Sequence, residues 1–294
     1  MTGLQFGLNV SPSVASGADP VADARLAEYM GFDFVSMNDH LHGPDARFEA
    51  WTALSWIAAR TSRIRVATRV LGAPYRHPAV VAKMAETFDR LSSGRLILGL
   101  GAGASDEEFR ALGLEARPPR DKIAGLEEAI RIIRGLWSER SFTFEGRLYR
   151  TERAEVEPKP DHPVPIWLGT FGDRALALTG RLADGWIPSL DMAPPERIPA
   201  MRNRIVEGAR AAGREPEEIT CAYNLQIRLG ERIDAEPFVV SGPPDAVVER
   251  LLGFVALGFS AFNFIPFGAD LPEQIERLAH EVIPAMRTGA SPGG

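Results

Sequence analysis

A histidine follows an aspartate at the end of a short apolar run, and this pair is the first feature that suggests chemistry. The run Phe32–Met37 reads FDFVSM and leads into Asn38-Asp39-His40. Histidine exchanges a proton near neutral pH and a carboxylate can assist it, so Asp39 and His40 are candidate catalytic residues. An ordinary turn is the alternative, because Asn and Asp favour turns. The chain has only 5 histidines, which favours a role for this pair, and the nearby His42 is more typical of a loop residue but stays a second candidate.

A glycine-rich stretch, Gly99–Ala104, follows another apolar run. Its sequence GLGAGA fits the dinucleotide-binding fingerprint with alanine in the third place. We reject that interpretation, because the acids about 20 residues further on, Glu127 and Glu128, lie inside a predicted helix and not at a strand end. Small residues also let a flat ring approach the backbone closely, so Gly101-Ala102-Gly103 is a candidate cofactor-binding segment. The alternative is a structural role, in which these glycines let neighbouring strands pack tightly as the fold closes.

A short loop before a predicted helix has the composition of a phosphate site. It reads Gly169-Thr170-Phe171-Gly172-Asp173-Arg174. The N–H groups and positive dipole end of a helix N-terminus favour phosphate, while Thr170 offers a hydroxyl and Arg174 a charge. Asp173 would repel an anion, so we expect it to cap the helix. A plain capped loop is the alternative.

Two further candidates lie where strands are expected to end. Arg69 and Val70 stand near the end of the run Ile64–Leu71. A barrel core favours branched apolar residues, so Arg69 is expected either in an ion pair at the rim or in contact with an anion. Trp186 follows Asp184-Gly185, and its bulk is more typical of a core than of a site.

The candidates belong to a regular alternation of strands and helices. Eight strands are predicted at Leu4–Val10, Phe32–Met37, Ile64–Leu71, Arg95–Leu100, Ile166–Gly169, Gly185–Pro188, Ile219–Leu229 and Ala261–Pro266. Helices are predicted after them at Pro20–Met30 (capped by Asp19), Phe48–Arg60, Pro78–Leu91, Lys122–Ser138, Arg174–Leu182, Pro195–Ala212, Asp245–Leu257 and Pro272–Met286. Parallel strands need helical crossovers, so this alternation predicts an α/β fold, a closed (β/α)₈ TIM barrel. The active residues of such a barrel lie where strands end and the following loops begin.

The alternation is interrupted once, at residues 139–163. Phe142–Phe144 and Arg147–Tyr149 predict a small hairpin around Glu145-Gly146. We interpret this segment as an insertion, because strands and helices resume after it. Residues 1–287 are therefore predicted to form a single barrel domain. Residues 288–294, a polar tail with Gly and Pro, are predicted to be flexible.

The composition excludes several classes of function. The chain has 294 residues, of which 45% are hydrophobic, and its net charge is −6. A large core can therefore be buried, and neither nucleic acid nor a membrane surface is expected as a partner. Cys221 is the only cysteine, so internal disulfides and thiolate metal clusters are excluded and no metal is expected. With neither a signal peptide nor a transmembrane segment recognisable, a cytoplasmic protein is expected.

Five motifs in this order resemble those of the luciferase-like monooxygenase superfamily, and the resemblance covers almost the whole chain. They are Asp39-His40; Arg76-His77-Pro78-Ala79-Val80-Val81-Ala82-Lys83; Leu91–Arg95 leading into Gly99–Gly103; Ser105-Asp106-Glu107-Glu108-Phe109; and Ala183-Asp184-Gly185-Trp186. Asp39-His40 together with the Gly-Ala-Gly stretch is closer to the branch that uses the deazaflavin coenzyme F420.

The resemblance implies a site. It places Asp39 and His40 beside the deazaflavin ring, with the histidine handling a proton as a hydride moves. It implies a non-proline cis peptide at Arg69-Val70 behind the ring and phosphate contacts at Gly169–Gly172. It also implies a homodimer.

This sequence departs from the family pattern at two positions. Ala104 stands where many relatives carry Trp and the sugar-phosphate dehydrogenase branch carries an acid. This difference argues against a sugar phosphate and for a bulkier or apolar substrate. Arg69 stands where the family usually has a small residue.

The resemblance thus implies an F420-dependent oxidoreductase that exchanges a hydride with a small organic substrate. In this hypothesis Asp39 orients His40. An FMN-dependent monooxygenase using O₂ and reduced flavin is the alternative, and a non-catalytic flavin-binding protein is a third. Asn9, His42, Trp186 and Gln226 are candidates for lining the substrate site.

Overall fold

A computed structural model describes residues 3–15, 17–231 and 237–289. The strands are β1 (Gln5–Asn9), β2 (Phe34–Met37), β3 (Arg65–Thr68), β4 (Leu71–Gly72), β5 (Leu96–Gly101), β6 (Phe142–Glu145), β7 (Arg150–Ala154), β8 (Ile166–Leu168), β9 (Gly185–Trp186), β10 (Thr220–Leu229), β11 (Val239–Gly242) and β12 (Ala261–Pro266). The helices are α1 (Pro20–Tyr29), α2 (Ala50–Arg60), α3 (Pro78–Leu91), α4 (Asp106–Ala111), α5 (Pro119–Ser138), α6 (Asp173–Leu182), α7 (Ile198–Ala211), α8 (Pro244–Ala256), α9 (Leu271–Arg277) and α10 (Ile283–Gly289).

The parallel strands close into a barrel. Within the described ranges the hydrogen-bonded order is β1-β2-β3-β5-β8-β9-β10-β12, and β12 pairs with β1. β4 continues the line of β3 and pairs with β5, while β11 adds to β10 outside the closed ring. The predicted (β/α)₈ barrel is confirmed. The C-terminal ends of its strands therefore face one rim, where the candidate residues meet.

Two layers of core hold this rim in place. A compact cluster inside the barrel contains side chains from six of its strands and the residue after β9: Phe34, Ala67, Ile97, Trp167, Ile187, Ala222 and Ala261. The larger cluster lies between the barrel and its helices and includes Leu126, Ile130 and Ile133 of α5. Inward and outward residues alternate along each strand, so successive side chains enter different layers.

The structure differs from the predicted elements at several places. The third predicted strand is divided into β3 and β4 around Arg69-Val70, whose peptide bond is cis as the resemblance implies. The second strand of the hairpin is β7, three residues later than predicted. α4 and β11 are not among the predicted elements.

The C-terminal helix is also longer than predicted. It continues from α9 through a π-helical turn into α10, which ends at Gly289. Thr288, predicted to be in the flexible tail, is helical, and its hydroxyl donates to the Pro284 carbonyl at 3.1 Å. Residues 290–294 of that tail lie outside the described residues.

Candidate functional site

A cavity of about 870 Å³ opens at the C-terminal rim of the barrel. Every residue predicted to be catalytic or to bind the cofactor lies on its wall: Asp39, His40, Arg69, Val70, Gly101, Ala102, Gly103, Gly169, Thr170, Phe171, Gly172 and Arg174. These residues come from the ends of β2, β3, β5 and β8 and from the loops that follow them. The strand-end rule for parallel barrels therefore brings together segments that are far apart in the sequence.

His40 lies on one wall and contacts a carboxylate from a helix that follows β5. Its Nδ1 is 3.4 Å from Oε2 of Glu108, on α4. Glu108 also accepts the backbone N–H of His42 at 2.9 Å and that of Leu41. One buried carboxylate thus holds both the imidazole and the backbone of the loop after β2.

The surroundings of Glu108 keep it ionised. Burial raises its pKa, but hydrogen bonds from Tyr75, His42, Leu41 and His40 outweigh burial and leave the pKa below its usual range. The pKa of the Tyr75 hydroxyl is raised, mainly by burial and in addition by its hydrogen bond to the Glu108 carboxylate. A charged acceptor beside Nδ1 favours a ring that carries a proton on that atom.

Asp39 has other partners than His40. Its Oδ2 accepts from Arg76 Nη1 at 2.8 Å and from the Gly72 backbone N–H at 3.0 Å, and Oδ1 accepts from Arg76 Nη2 at 3.2 Å. Burial raises the Asp39 pKa, and the Arg76 guanidinium opposes this effect. The structure therefore revises the prediction that Asp39 orients His40. The carboxylate next to the ring belongs to Glu108, and Asp39 ties β4 to Arg76.

The floor of the cavity between these walls is apolar and lined by glycine. Val70 packs so closely on Gly101 that a Cβ at that glycine would lie 2.7 Å from Val70 Cγ2. A Cβ at Gly169 would lie 3.2 Å from the same atom. Gly103 adopts φ +87°, which favours glycine. Gly101 and Gly169, from two of the predicted cofactor-binding segments, thus both lie against the Val70 side chain.

Positive groups lie on the cavity wall at the starts of α5 and α6. The N-cap of α6 is Gly172, and no side chain caps its first N–H groups. Arg174 and Arg120 are exposed on the wall and have no ion pair within the part of the chain that the structure describes. Lys122, on the same wall, is paired with Asp106 of α4 at 2.6 Å. An uncapped helix N-terminus with two unpaired guanidinium groups suits a phosphate.

Two details of the predicted phosphate loop differ from expectation. The Thr170 hydroxyl is 2.7 Å from that of Thr179 on α6, so the backbone of Thr170 lines the cavity while its hydroxyl is already paired. Asp173 is not the cap of α6, since Gly172 occupies that position. Asp173 is exposed and lies 3.6 Å from Arg204.

The four candidates for lining the substrate site lie outside the cavity wall. Trp186 is wholly buried in the core and donates its indole N–H to the Thr170 carbonyl at 2.9 Å. Asn9 accepts from Arg69 Nε at 2.8 Å. His42 and Gln226 are exposed and are not among the residues that form the wall. The wall also includes residues to which the sequence analysis assigns no role in the site: Tyr75, Glu108, Arg120, Lys122, Ile187, Asp191, Met192 and Asn224.

A family model for luciferase-like monooxygenases matches residues 5–236, which is most of the chain. This protein belongs to the luciferase-like monooxygenase family. The match includes the loops that carry His40, Glu108 and the N-terminus of α6, so every wall of the cavity described above lies within the family's own segment.

Relatives within the luciferase-like monooxygenase family include enzymes named for coenzyme F420. An F420-dependent glucose-6-phosphate dehydrogenase of Nakamurella multipartita is 29% identical over 97% of this chain and 97% of its own. A solved F420-dependent secondary alcohol dehydrogenase, in complex with an F420–acetone adduct, superposes with a TM-score of 0.87 at 21% identity and covers 97% of this chain and 99% of that one. The coenzyme F420-dependent tetrahydromethanopterin reductase of Methanopyrus kandleri gives 0.82 at 22%, with coverage of 97% and 99%.

Among the described residues, no group of three or more His, Cys, Asp or Glu is arranged to hold a metal ion. In the same ranges, no helix combines the length and apolar character needed to cross a membrane.

Proposed function

We propose that this chain is an oxidoreductase that exchanges a hydride between coenzyme F420 and a small organic substrate. The observation that carries the proposal is the arrangement of the cavity. Its wall combines His40 and the buried carboxylate partner of this histidine, an apolar surface lined by glycine, and the uncapped N-terminus of α6 with the unpaired cations Arg174 and Arg120. The F420-dependent relatives match over nearly their full length, which supports the same coenzyme here.

The chain has residues suited to each part of the coenzyme. Val70, Gly101 and Gly103 would hold the ring by close apolar contact, and Arg174, Arg120 and the α6 N–H groups would hold a phosphate. When bound, F420 supplies a ring that accepts or donates a hydride. His40 Nδ1 faces Glu108, so Nε2 is the atom that would take up or release the proton at the substrate.

The relatives are named for glucose 6-phosphate, but we do not propose that substrate for this chain. Ala104 lines the cavity where the sugar-phosphate dehydrogenase branch has an acid. The resulting wall has a methyl group and open space in place of a carboxylate. A bulkier or more apolar substrate fits this change.

Titration of the purified protein with F420 and, separately, with FMN tests the proposal. Binding is followed by the absorbance and fluorescence of each coenzyme, with turnover of reduced F420 in the presence and absence of O₂ as the second readout. Tight F420 binding with oxygen-independent turnover is expected. Tight FMN binding without F420 binding, together with oxygen-dependent turnover, would reverse the choice in favour of a monooxygenase. Bound coenzyme without turnover across a substrate panel would leave a non-catalytic binding protein.

The proposal extends to a homodimer in the cytoplasm. Large apolar side chains are exposed on adjacent helices: Trp56 of α2 is 63% exposed, and Val80 and Leu91 of α3 are 53% and 83% exposed. Trp51 and Phe88 pack these two helices together, so the exposed groups belong to one side of the barrel. Sedimentation analysis should give a dimer for the wild type and a monomer for Trp56→Glu, because a charge there opposes apolar burial.

A further inference from the structure

The guanidinium group of Arg69 lies on the cavity wall and makes only part of the hydrogen bonds available to it. Its Nε donates to Asn9 Oδ1 at 2.8 Å. Its two terminal nitrogens have no hydrogen-bond acceptor among residues 3–15, 17–231 and 237–289. Burial lowers the Arg69 pKa to about 10, and only the charge of Asp191, on the same cavity wall, opposes that effect. A desolvated cation with free donors favours a ligand that brings an anion.

A buried hydrogen-bond network fixes the position of this guanidinium. Ser36 Oγ lies 3.3 Å from Asn9 Oδ1 and 2.9 Å from Asn263 Oδ1. Asn263 Nδ2 donates to Asn224 Oδ1 at 2.8 Å, and Asn224 Nδ2 donates to backbone carbonyls after β9. The network connects β1, β2, β12 and β10 across the barrel. Because this network holds Asn9, it also fixes the Nε end of Arg69. The two terminal nitrogens of Arg69 are left to bind a ligand.

The positive charge of Arg69 is separate from the cations assigned to the coenzyme. Arg174 lies in the first turn of α6 and Arg120 in the first turn of α5, whereas Arg69 follows β3 directly and contacts the end of β1. Apolar residues share the wall of the cavity with Arg69, among them Val70, Ile187 and Met192. The cavity thus combines one anchored cation with apolar wall residues.

We propose that Arg69 binds the carboxylate of the substrate, and that the substrate is an organic acid whose carboxylate is attached to an apolar body. The inference rests on the proposed function, since it concerns the same cavity. Two terminal N–H groups on a planar guanidinium match the two oxygens of a carboxylate. Arg69 is therefore a specificity-determining residue. Asp191 weakens binding of the same anion by repulsion.

Matched probes test the charge requirement. Calorimetric titrations use 4-phenylbutanoate and 4-phenylbutanamide, which share an apolar body and differ in charge, with the F420-loaded and the coenzyme-free protein. The carboxylate should bind at least about tenfold more tightly than the amide in the wild type. Arg69→Met should abolish this preference.

Two further variants sharpen the result. Asp191→Asn should tighten the carboxylate about threefold and leave the amide unchanged, because it removes a negative charge from the same wall. Since Asp191 is exposed, this variant keeps the test usable even where Arg69→Met fails to fold. Arg210→Met, which removes an exposed arginine from α7, is the control and should match the wild type with both probes.

The possible outcomes separate the two proposals. Equal affinity of the wild type for the two probes would overturn the assignment of Arg69. A preference that survives in Arg69→Met would overturn it as well. If the preference for the carboxylate depends on Arg69 but the protein does not bind F420, the Arg69 site is supported and F420 is rejected as the coenzyme.

Discussion

Glu108 and His40 come from different loops of the barrel, yet Oε2 of one lies 3.4 Å from Nδ1 of the other. Asp39, which precedes His40 in sequence, is paired with Arg76. The acid that acts on the histidine is therefore 68 residues away. Since Glu108 also binds the backbone of Leu41 and His42, it positions the whole segment as well as the ring.

Glu108→Gln is expected to slow turnover without weakening coenzyme binding. Glutamine preserves the side-chain volume and one acceptor oxygen but removes the charge beside His40 Nδ1. We expect kcat to fall about tenfold while KM and Kd for F420 stay within about twofold, because the coenzyme touches other walls. Steady-state assays of F420 turnover, together with a fluorescence titration, measure both.

The control for this variant is Glu107→Gln, one residue earlier on α4. Glu107 is exposed and lies outside the cavity wall, so its replacement should leave both constants unchanged. An equal fall in kcat for both variants would mean that the substitutions act by disturbing helix α4 and not through the contact with His40. A rise in KM alone for Glu108→Gln would contradict a positioning role.

His40→Ala is expected to remove most of the activity. An imidazole that transfers a proton contributes about 10²-fold or more to turnover, so kcat should fall by at least that factor. The affinity for F420 should change less than about threefold, because the phosphate contacts remain intact. Stopped-flow measurement of hydride transfer to or from F420 gives the rate directly.

His42→Ala serves as the matched control. The His42 side chain is exposed, and its backbone N–H, which binds Glu108, survives the substitution. Near wild-type kinetics are expected. Unchanged hydride transfer in His40→Ala would end the proton-transfer role for this residue.

Most of the barrel is predictable because its signals are local. Asp19 caps α1 with bonds of 3.0 Å to Val21 and Ala22, and Pro78 begins α3 at the predicted residue. α4 is harder to predict, since it has only six residues and follows the glycine-rich stretch directly. The extension of the last helix into Thr288 depends on hydrogen bonds within the helix, which a Gly/Pro-rich composition does not reveal.

The site is only partly predictable, for a physical reason. Strand-end position identifies His40 and Arg69, because every barrel strand delivers its last residues to one rim. The partner of a side chain depends on tertiary distances, so adjacency suggests Asp39 for His40 where the fold supplies Glu108. Trp186 illustrates the same limit, since its strand end is on the rim but its ring is turned into the core.

Removal of positive charge beside α6 is expected to weaken F420 binding. Arg174→Gln and Arg120→Gln should each raise Kd about tenfold at low salt, since each deletes one charge from the phosphate end of the cavity. The loss should shrink as salt increases. Fluorescence titrations at two ionic strengths measure it, and a Kd equal to that of the wild type at low salt in both variants would exclude these contacts.

The comparison variant for these two is Arg210→Gln. Arg210 is exposed near the C-terminal end of α7 and lies outside the cavity wall, so its charge should matter little to the coenzyme. Its Kd should follow that of the wild type at both salt concentrations. A similar loss in all three variants would indicate only a general effect of net charge.

The folded state should lose stability as Asp23 ionises. Burial raises the pKa of Asp23, in the first turn of α1, from 3.8 to about 6, and the charge of Asp19 adds to this effect. A carboxyl with a higher pKa in the folded state binds its proton more tightly there than in the unfolded chain. The free energy of unfolding should therefore decrease as pH rises from about 4 to about 6 and remain lower above that range.

Asp23→Asn should remove this loss, because asparagine stays neutral in both states. At pH 7 we expect the variant to be more stable than the wild type by about 1–2 kcal/mol, and at pH 4 by much less. Urea unfolding of both proteins at the two pH values measures the difference. Asp245→Asn, in the first turn of α8 where the side chain is exposed, controls for an effect on the helix dipole. A gain for Asp23→Asn that is equal at pH 4 and pH 7 would rule out ionisation of this half-buried carboxyl as its cause.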